Sequence, residues 1–233
     1  SMSPRGHQRV TALAIAPDGS ALVAGDRAGV MSAWRLSDGH LLWTQRTGPM
    51  EQLAISPDGR WLATTETWVN SDDPVAVAAP DWFPDDPDGH TTFSLWDLAS
   101  HRRVFSHDLR EQDHRPVKAK TMVFSPDSHL VAVPTLSPST VQVFQVEEPE
   151  RLYLLQDVPI DSTFGPIAVT FTPDGSTLLV RNDSGTRILA FDARTGQIAP
   201  GLYDEPGDRG YGVLAFSSDG RWLFSRTPNG LSI

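Results

Sequence analysis

The sequence predicts an all-β fold made of repeated antiparallel units, and two observations carry this prediction. One short pattern recurs five times along the 233 residues: an alternating apolar run, a tight turn, and a second apolar run. The turn aspartates are Asp18, Asp58, Asp127, Asp174 and Asp219, with spacings of 40, 69, 47 and 45 residues. The chain is also rich in Trp (seven) and Phe (ten), which suit half-buried, pleated strands.

The turn of each unit explains why the chain reverses there. In the first unit Pro17 fixes φ, Asp18 tolerates the turn, and Gly19 accepts a positive φ. Alternation such as that of Leu13 and Ile15 predicts a strand on the preceding side, so the unit is interpreted as a β-hairpin. Because the same arrangement returns in phase five times, the hairpins indicate a repeat.

A second pair of apolar runs follows each of the first four hairpins, as at 30–35 and 41–43 in the first repeat. Four strands in about 40–45 residues is the period of a β-propeller blade. We therefore predict a single β-propeller domain over residues 9–233, built from four-stranded antiparallel blades, and interpret residues 1–8 as a cloning remnant and lead-in. The predicted blades span 9–46, 51–107, 117–156 and 166–202, with a partial blade at 211–233.

The third strand of the second repeat ends in Trp96-Asp97, and two other repeats keep half of this pair, as Trp34 and as Phe191-Asp192. On these residues the chain resembles the WD-repeat family, as a divergent, bacterial-like member. The family's Gly-His pair is not recognisable in most repeats. Its buried Asp-His-Ser/Thr-Trp network is therefore not carried over to this chain.

The predicted blade count is four and a half, which does not close a ring. Propellers close their rings to protect sheet edges, and they typically do so with four to eight blades. We expect the blades to belong to a ring of six or seven whose chain continues past Ile233. Completion of the ring by self-association or by a partner chain remains the alternative.

Composition narrows the range of partners. The net charge of −10 disfavours a phosphate backbone, so no nucleic-acid partner is expected. The absence of cysteine excludes disulfides and thiolate chemistry, and no apolar run approaches the roughly 18 residues of a membrane helix. With no signal peptide recognisable, the predicted location is cytoplasmic and no membrane contact is expected.

The long connections of the predicted blades gather on one face. They include an insertion of roughly 25 residues at 67–91 in the second blade. Long loops on a rigid scaffold often carry binding residues. The candidate partner-binding residues are Trp68, Asp81, Trp82, Phe83, His107 and His114. The competing interpretation is that the aromatic side chains pin the loop to its own scaffold.

No motif for nucleophilic catalysis, phosphate cradling, zinc or calcium binding is present, so no catalytic residue, metal or cofactor is predicted. The predicted function is a non-catalytic scaffold or sensor module that binds a protein or peptide through its long-loop face. Two alternatives stay open. One is a propeller-type hydrolase or lyase with residues on a central channel, and the other is a structural module completed by self-association.

Overall fold

The structure is a computed structural model, and every regular element among the residues it describes is a β-strand. These strands form five antiparallel sheets, four of them with four strands each. The predicted fold class, an all-β protein of four-stranded antiparallel blades, is confirmed. The described residues are 9–68, 90–109, 122–136, 139–150, 152–154, 166–182, 187–199, 203–204, 214–217, 219–227 and 230–232.

The chain forms two compact units, and the first comprises Ser1–Ile55 and Gly59–Pro116. It contains blades one and two, each with its strands in sequence order. Blade one consists of β1 (Val10–Ile15), β2 (Ala21–Asp26), β3 (Val30–Arg35) and β4 (Leu41–Arg46). Blade two consists of β5 (Met50–Ile55), β6 (Trp61–Trp68), β7 (His90–Asp97) and β8 (Arg102–Asp108).

The second unit comprises Ser56–Asp58 and Val117–Ile233 and contains blades three to five. Blade three consists of β9 (Val123–Phe124), β10 (Leu130–Leu136), β11 (Ser139–Gln145) and β12 (Leu152–Leu154). Blade four consists of β13 (Pro166–Phe171), β14 (Thr177–Asn182), β15 (Arg187–Asp192) and β16 (Tyr203–Asp204). Blade five has three described strands, β17 (Leu214–Phe216), β18 (Leu223–Thr227) and β19 (Gly230–Ser232).

Pro-Asp-Gly segments form the first turn of blades one, two and four, as their chemistry requires. In blade one Gly19 N donates to Ala16 O at 2.8 Å, and Gly19 has a φ of 70°. Asp18 Oδ1 accepts the N–H of Ser20 at 2.9 Å, which fixes the residue that leaves the turn. Blade three places Ser128 at the same position, where this non-glycine residue adopts a φ of 64°.

Neighbouring blades pack small side chains against large ones. In the first unit Ala12 and Ala14 of β1 lie in the same apolar cluster as Leu53 and Ile55 of β5. In the second unit Ala168 of β13 lies in a cluster with Leu214 and Phe216 of β17. Because side chains alternate across a strand, β13 places Ala168 on one face and the larger Val169 and Phe171 on the other, in a separate apolar cluster.

Candidate functional site

The long loop of blade two leaves its scaffold from a rigid base. Strands β6 and β7 pair continuously up to Trp68 opposite His90, so the two strands extend further into the predicted insertion than its limits of 67 and 91. In the adjacent residue pair, Thr67 Oγ1 and Thr91 Oγ1 are hydrogen-bonded at 3.0 Å, and both residues are buried. Residues 69–89 are therefore anchored between two strand ends held at a fixed separation.

The third strand of this base, β8, carries His107, a predicted candidate, one residue before its last residue Asp108. His107 lies opposite Phe93 in the sheet and stacks on Phe105 with 6.3 Å between ring centroids and an interplanar angle of 7°. Burial lowers the pKa of His107, and the charge of Asp108 opposes this effect. At neutral pH the half-buried imidazole is therefore neutral.

The other predicted candidates lie largely outside the described residues. Asp81, Trp82, Phe83 and His114 are in segments that the structure does not describe, and Trp68 is described only through its backbone pairing. Of the six candidates, only His107 is therefore described with its side chain. The predicted binding role of this set remains a prediction.

A buried polar network in blade two stands where none was expected. Trp96 Nε1 donates to Thr64 Oγ1 at 3.0 Å, and Thr64 Oγ1 donates to Glu66 Oε1 at 3.1 Å. The second carboxylate oxygen of Glu66 accepts the N–H of Gly48 at 3.1 Å. Sequence reasoning missed this network because it looked for a Gly-His pair. The signal that could have found it is the alternation of Leu62, Thr64 and Glu66 on β6, which places their side chains on one face of the sheet. Trp96 pairs with Leu62 on the neighbouring strand and shares this face.

An acidic groove of about 580 Å³ lies in the second unit, beside the first turns of blades three and four. Asp127, Asp174 and Asp192 line it together with Glu147 and Glu148. The turn carboxylates are engaged locally: Asp174 accepts the hydroxyl of Thr172 at 2.6 Å and the N–H of Ser176 at 3.0 Å. Within the described part of the chain, no group of three or more His, Asp or Glu side chains is arranged to hold a metal ion.

Repeated four-stranded antiparallel blades define the class of protein as a β-propeller, and comparison with solved structures agrees. The β-propeller domain of Cps50 (Swd1) from Myceliophteria thermophila matches with a TM-score of 0.68 at 19% identity, covering 96% of this chain and 63% of that one. A functionally unknown protein from Desulfotomaculum acetoxidans DSM 771 matches with a TM-score of 0.66 at 17% identity, covering 95% and 63%. The chain thus spans less than two thirds of either structure.

A family model described as WD40, "WD domain, G-beta repeat", matches residues 2–35. With the fold, this match confirms the predicted resemblance to the WD-repeat family. WD-repeat propellers serve in general as scaffolds for protein interactions. No curated protein matches the chain. In total, 1562 chains of solved structures match this chain. The fold is therefore too common to indicate by itself which partner the protein binds.

The residues that the structure describes include no helix that is both long and apolar enough to cross a membrane.

Proposed function

We propose that the protein is a non-catalytic scaffold or sensor module of the cytoplasm that binds a protein or peptide through the long-loop end of blade two. The observation that carries this proposal is the base of that loop. The pairing of β6 with β7 up to Trp68 and His90, together with the Thr67–Thr91 hydroxyl pair, gives a loop of 21 residues (69–89) two fixed attachment points. A loop on such a base loses less conformational freedom when a partner binds it.

The residues of the loop suit this role. Trp82 and Phe83 provide large apolar area, and Asp81 and its acidic neighbours favour a basic or proline-rich peptide. The competing role, in which the aromatic side chains only pin the loop, predicts that removal of the loop lowers stability and leaves binding unchanged.

Replacement of residues 69–89 by Asn-Gly separates these two roles. Asn-Gly is the preferred two-residue turn between paired strands, and the last pair here is Trp68 with His90. Peptides selected on the intact protein from a phage-displayed random library should bind the shortened protein at least tenfold more weakly. Fluorescence anisotropy measures the affinities, and circular dichroism checks that the sheets persist.

The matched control is Asp174→Asn, which alters a first turn of blade four and leaves the loop of blade two intact. The selected peptides should bind this variant with unchanged affinity. Equal affinities for the intact and the shortened protein would show that the loop takes no part in peptide binding.

A second candidate function, a structural module completed by self-association, is favoured by the inner strand of blade one. Leu13 and Ile15 are 62% and 55% exposed. Their counterparts in the repeat, five and three residues before the turn aspartate, are Leu53 and Ile55 in blade two and Val169 and Phe171 in blade four. These counterparts lie in apolar clusters with the preceding blade. We infer that a blade of a second copy of this chain covers Leu13 and Ile15.

A further inference from the structure

A second groove, of about 600 Å³, lies within the first unit between β4 of blade one and the β7–β8 hairpin of blade two. We name it the arginine groove, because Arg46, Arg102 and Arg103 line it. Its other polar lining side chains are those of Gln45, Thr47 and His101. No carboxylate is among the described residues that line it.

The arginine groove is positively charged, although the whole chain carries a net negative charge. The chain has a net charge of −10, yet three permanently charged arginine residues line this groove. The ion pairs found among the described residues join Arg35 to Asp38 and Arg60 to Asp97, and neither includes an arginine of the groove. Among the described residues, no hydrogen bond or ion pair engages the guanidinium group of Arg46, Arg102 or Arg103.

The walls of the groove are held in place by aromatic contacts. The guanidinium of Arg103 lies over the ring of Trp96, 5.6 Å from its centroid, and Trp96 is itself fixed by its hydrogen bond to Thr64. His101 packs on Trp43 with 4.9 Å between ring centroids. Stacked arginines lose less side-chain entropy when they bind an anion, because part of their freedom is already lost.

The backbone of His101 adds an independent sign that the turn is specialised. His101 has a φ of 56°, a conformation that favours glycine. The corresponding turns of blades one and four place Gly39 and Gly196 there, both with a φ of 69°. Blade two therefore tolerates backbone strain at a position where the histidine side chain lines the groove.

We propose that the arginine groove binds an oxyanion of the phosphate class. Guanidinium groups donate paired hydrogen bonds to phosphate oxygens, and a phosphate ester carries about −1.5 to −2 charge with three acceptor oxygens. Three arginines match that acceptor set better than they match a single carboxylate, and Gln45, whose amide nitrogen donates one hydrogen bond to Arg46 O at 3.5 Å, has a second N–H donor. This site is separate from the loop of blade two, and the proposal does not depend on the function proposed for that loop.

The test is isothermal titration calorimetry of the 233-residue protein with three probes: inorganic phosphate, a phosphoserine hexapeptide, and the same peptide with serine. We expect binding of a phosphate-bearing probe, no binding of the serine peptide, and weaker binding as NaCl concentration rises, because exposed charges are screened. Tighter binding of the phosphopeptide identifies a phosphorylated protein as the source of the group. Equal binding of inorganic phosphate identifies a small-anion site.

Charge reversal locates the site. The double variant R102E/R103E should weaken binding at least tenfold, whereas R102K/R103K, which keeps charge and loses the paired donors, should weaken it by a smaller factor. The matched control R194E/R221E makes the same change in net charge in the second unit and should leave the affinity within twofold of wild type.

Two results would overturn the proposal. One is the absence of binding heat with both phosphate-bearing probes at millimolar concentration. The other is an equal loss of affinity in R102E/R103E and R194E/R221E, which would show a response to net charge alone. Circular dichroism of each variant ensures that a loss of binding is read only from folded protein.

Discussion

At the scale of single residues, one hydroxyl group in the buried network of blade two makes two hydrogen bonds. Thr64 Oγ1 accepts from the indole of Trp96 and donates to Glu66. Both neighbours are buried, so neither can turn to water when the hydroxyl is removed. A buried polar group without a partner costs more than the hydrogen bond contributed.

Thr64→Val should therefore lower the free energy of unfolding by about 1–3 kcal/mol. The adjacent Thr65 provides the matched control, because its buried hydroxyl has no hydrogen-bond partner. Thr65→Val keeps the shape, removes an unsatisfied group, and should leave stability unchanged or raised. Urea unfolding followed by Trp fluorescence compares the two variants, and equal losses would contradict the role given to Thr64.

The turn aspartates couple stability to pH. The hydroxyl of Thr172 and the N–H and hydroxyl of Ser176 lower the pKa of Asp174 below its usual value. A carboxylate with a lowered pKa in the folded state stabilises the protein above its unfolded pKa of about 4 and loses this contribution as pH falls through the lower folded value. Asp219 has a pKa lowered in the same way, first by the hydroxyl of Ser217.

The urea midpoint should accordingly fall as pH is lowered from 5 to 3, and Asp174→Asn should make this fall shallower. Glu150→Gln, which also removes one exposed carboxylate but lies outside these turns, controls for the change in net charge. A wild-type midpoint that stays constant over this pH range would contradict the prediction.

At the scale of elements, the turns of successive blades touch each other within the second unit. A Cβ added at Gly220 would lie 2.7 Å from Cγ of Pro173, a rigid ring in the turn of the preceding blade. At Gly175 the nearest such contact is an ordinary 3.6 Å, to Pro126. Both glycines have positive φ, 69° and 71°, so an alanine is strained equally at either position.

Gly220→Ala should therefore destabilise the protein more than Gly175→Ala, by about 1–3 kcal/mol, the usual cost of overpacking. Thermal unfolding of the two variants, monitored by circular dichroism, measures this difference. Similar losses would mean that only backbone strain matters and that the turn-to-turn contact is not tight.

The hairpins could be predicted from the sequence because their determinants are local. Pro17, Asp18 and Gly19 act within one turn, and the hydrophobic alternation of the flanking strands depends on neighbours two residues apart. The arginine groove could not be predicted in this way. Arg46 and Arg102 are far apart in sequence and come together only because blade one packs on blade two. The same holds for Trp96 and Thr64, which are 32 residues apart.

At the scale of the whole molecule, the exposed apolar face of blade one, which carries Leu13 and Ile15, determines whether the chain self-associates or stays monomeric. If a second copy covers Leu13 and Ile15, sedimentation velocity of the 233-residue chain should show a species larger than 25.5 kDa, and its share should grow with concentration. The double variant L13D/I15D should abolish it, because charge at a covered apolar face is costly.

Val104→Asp is the control, since Val104 is also exposed, at 52%, but lies on the outer strand β8. This variant should associate like wild type. A wild-type chain that stays monomeric at all concentrations would contradict the self-association proposal and favour the predicted continuation of the chain past Ile233 as the source of the covering blade.

The pairing of a small-residue face with a large-residue face also bears on how such a chain can change over generations. Ala12 and Ala14 meet Leu53 and Ile55 in the first unit, and Ala168 meets Leu214 and Phe216 in the second. These two junctions therefore join a small-residue face to a large-residue face in the same way. A gene duplication that adds a blade at such a junction would bring two compatible faces together, so the number of blades could change while the chemistry of the contact is kept.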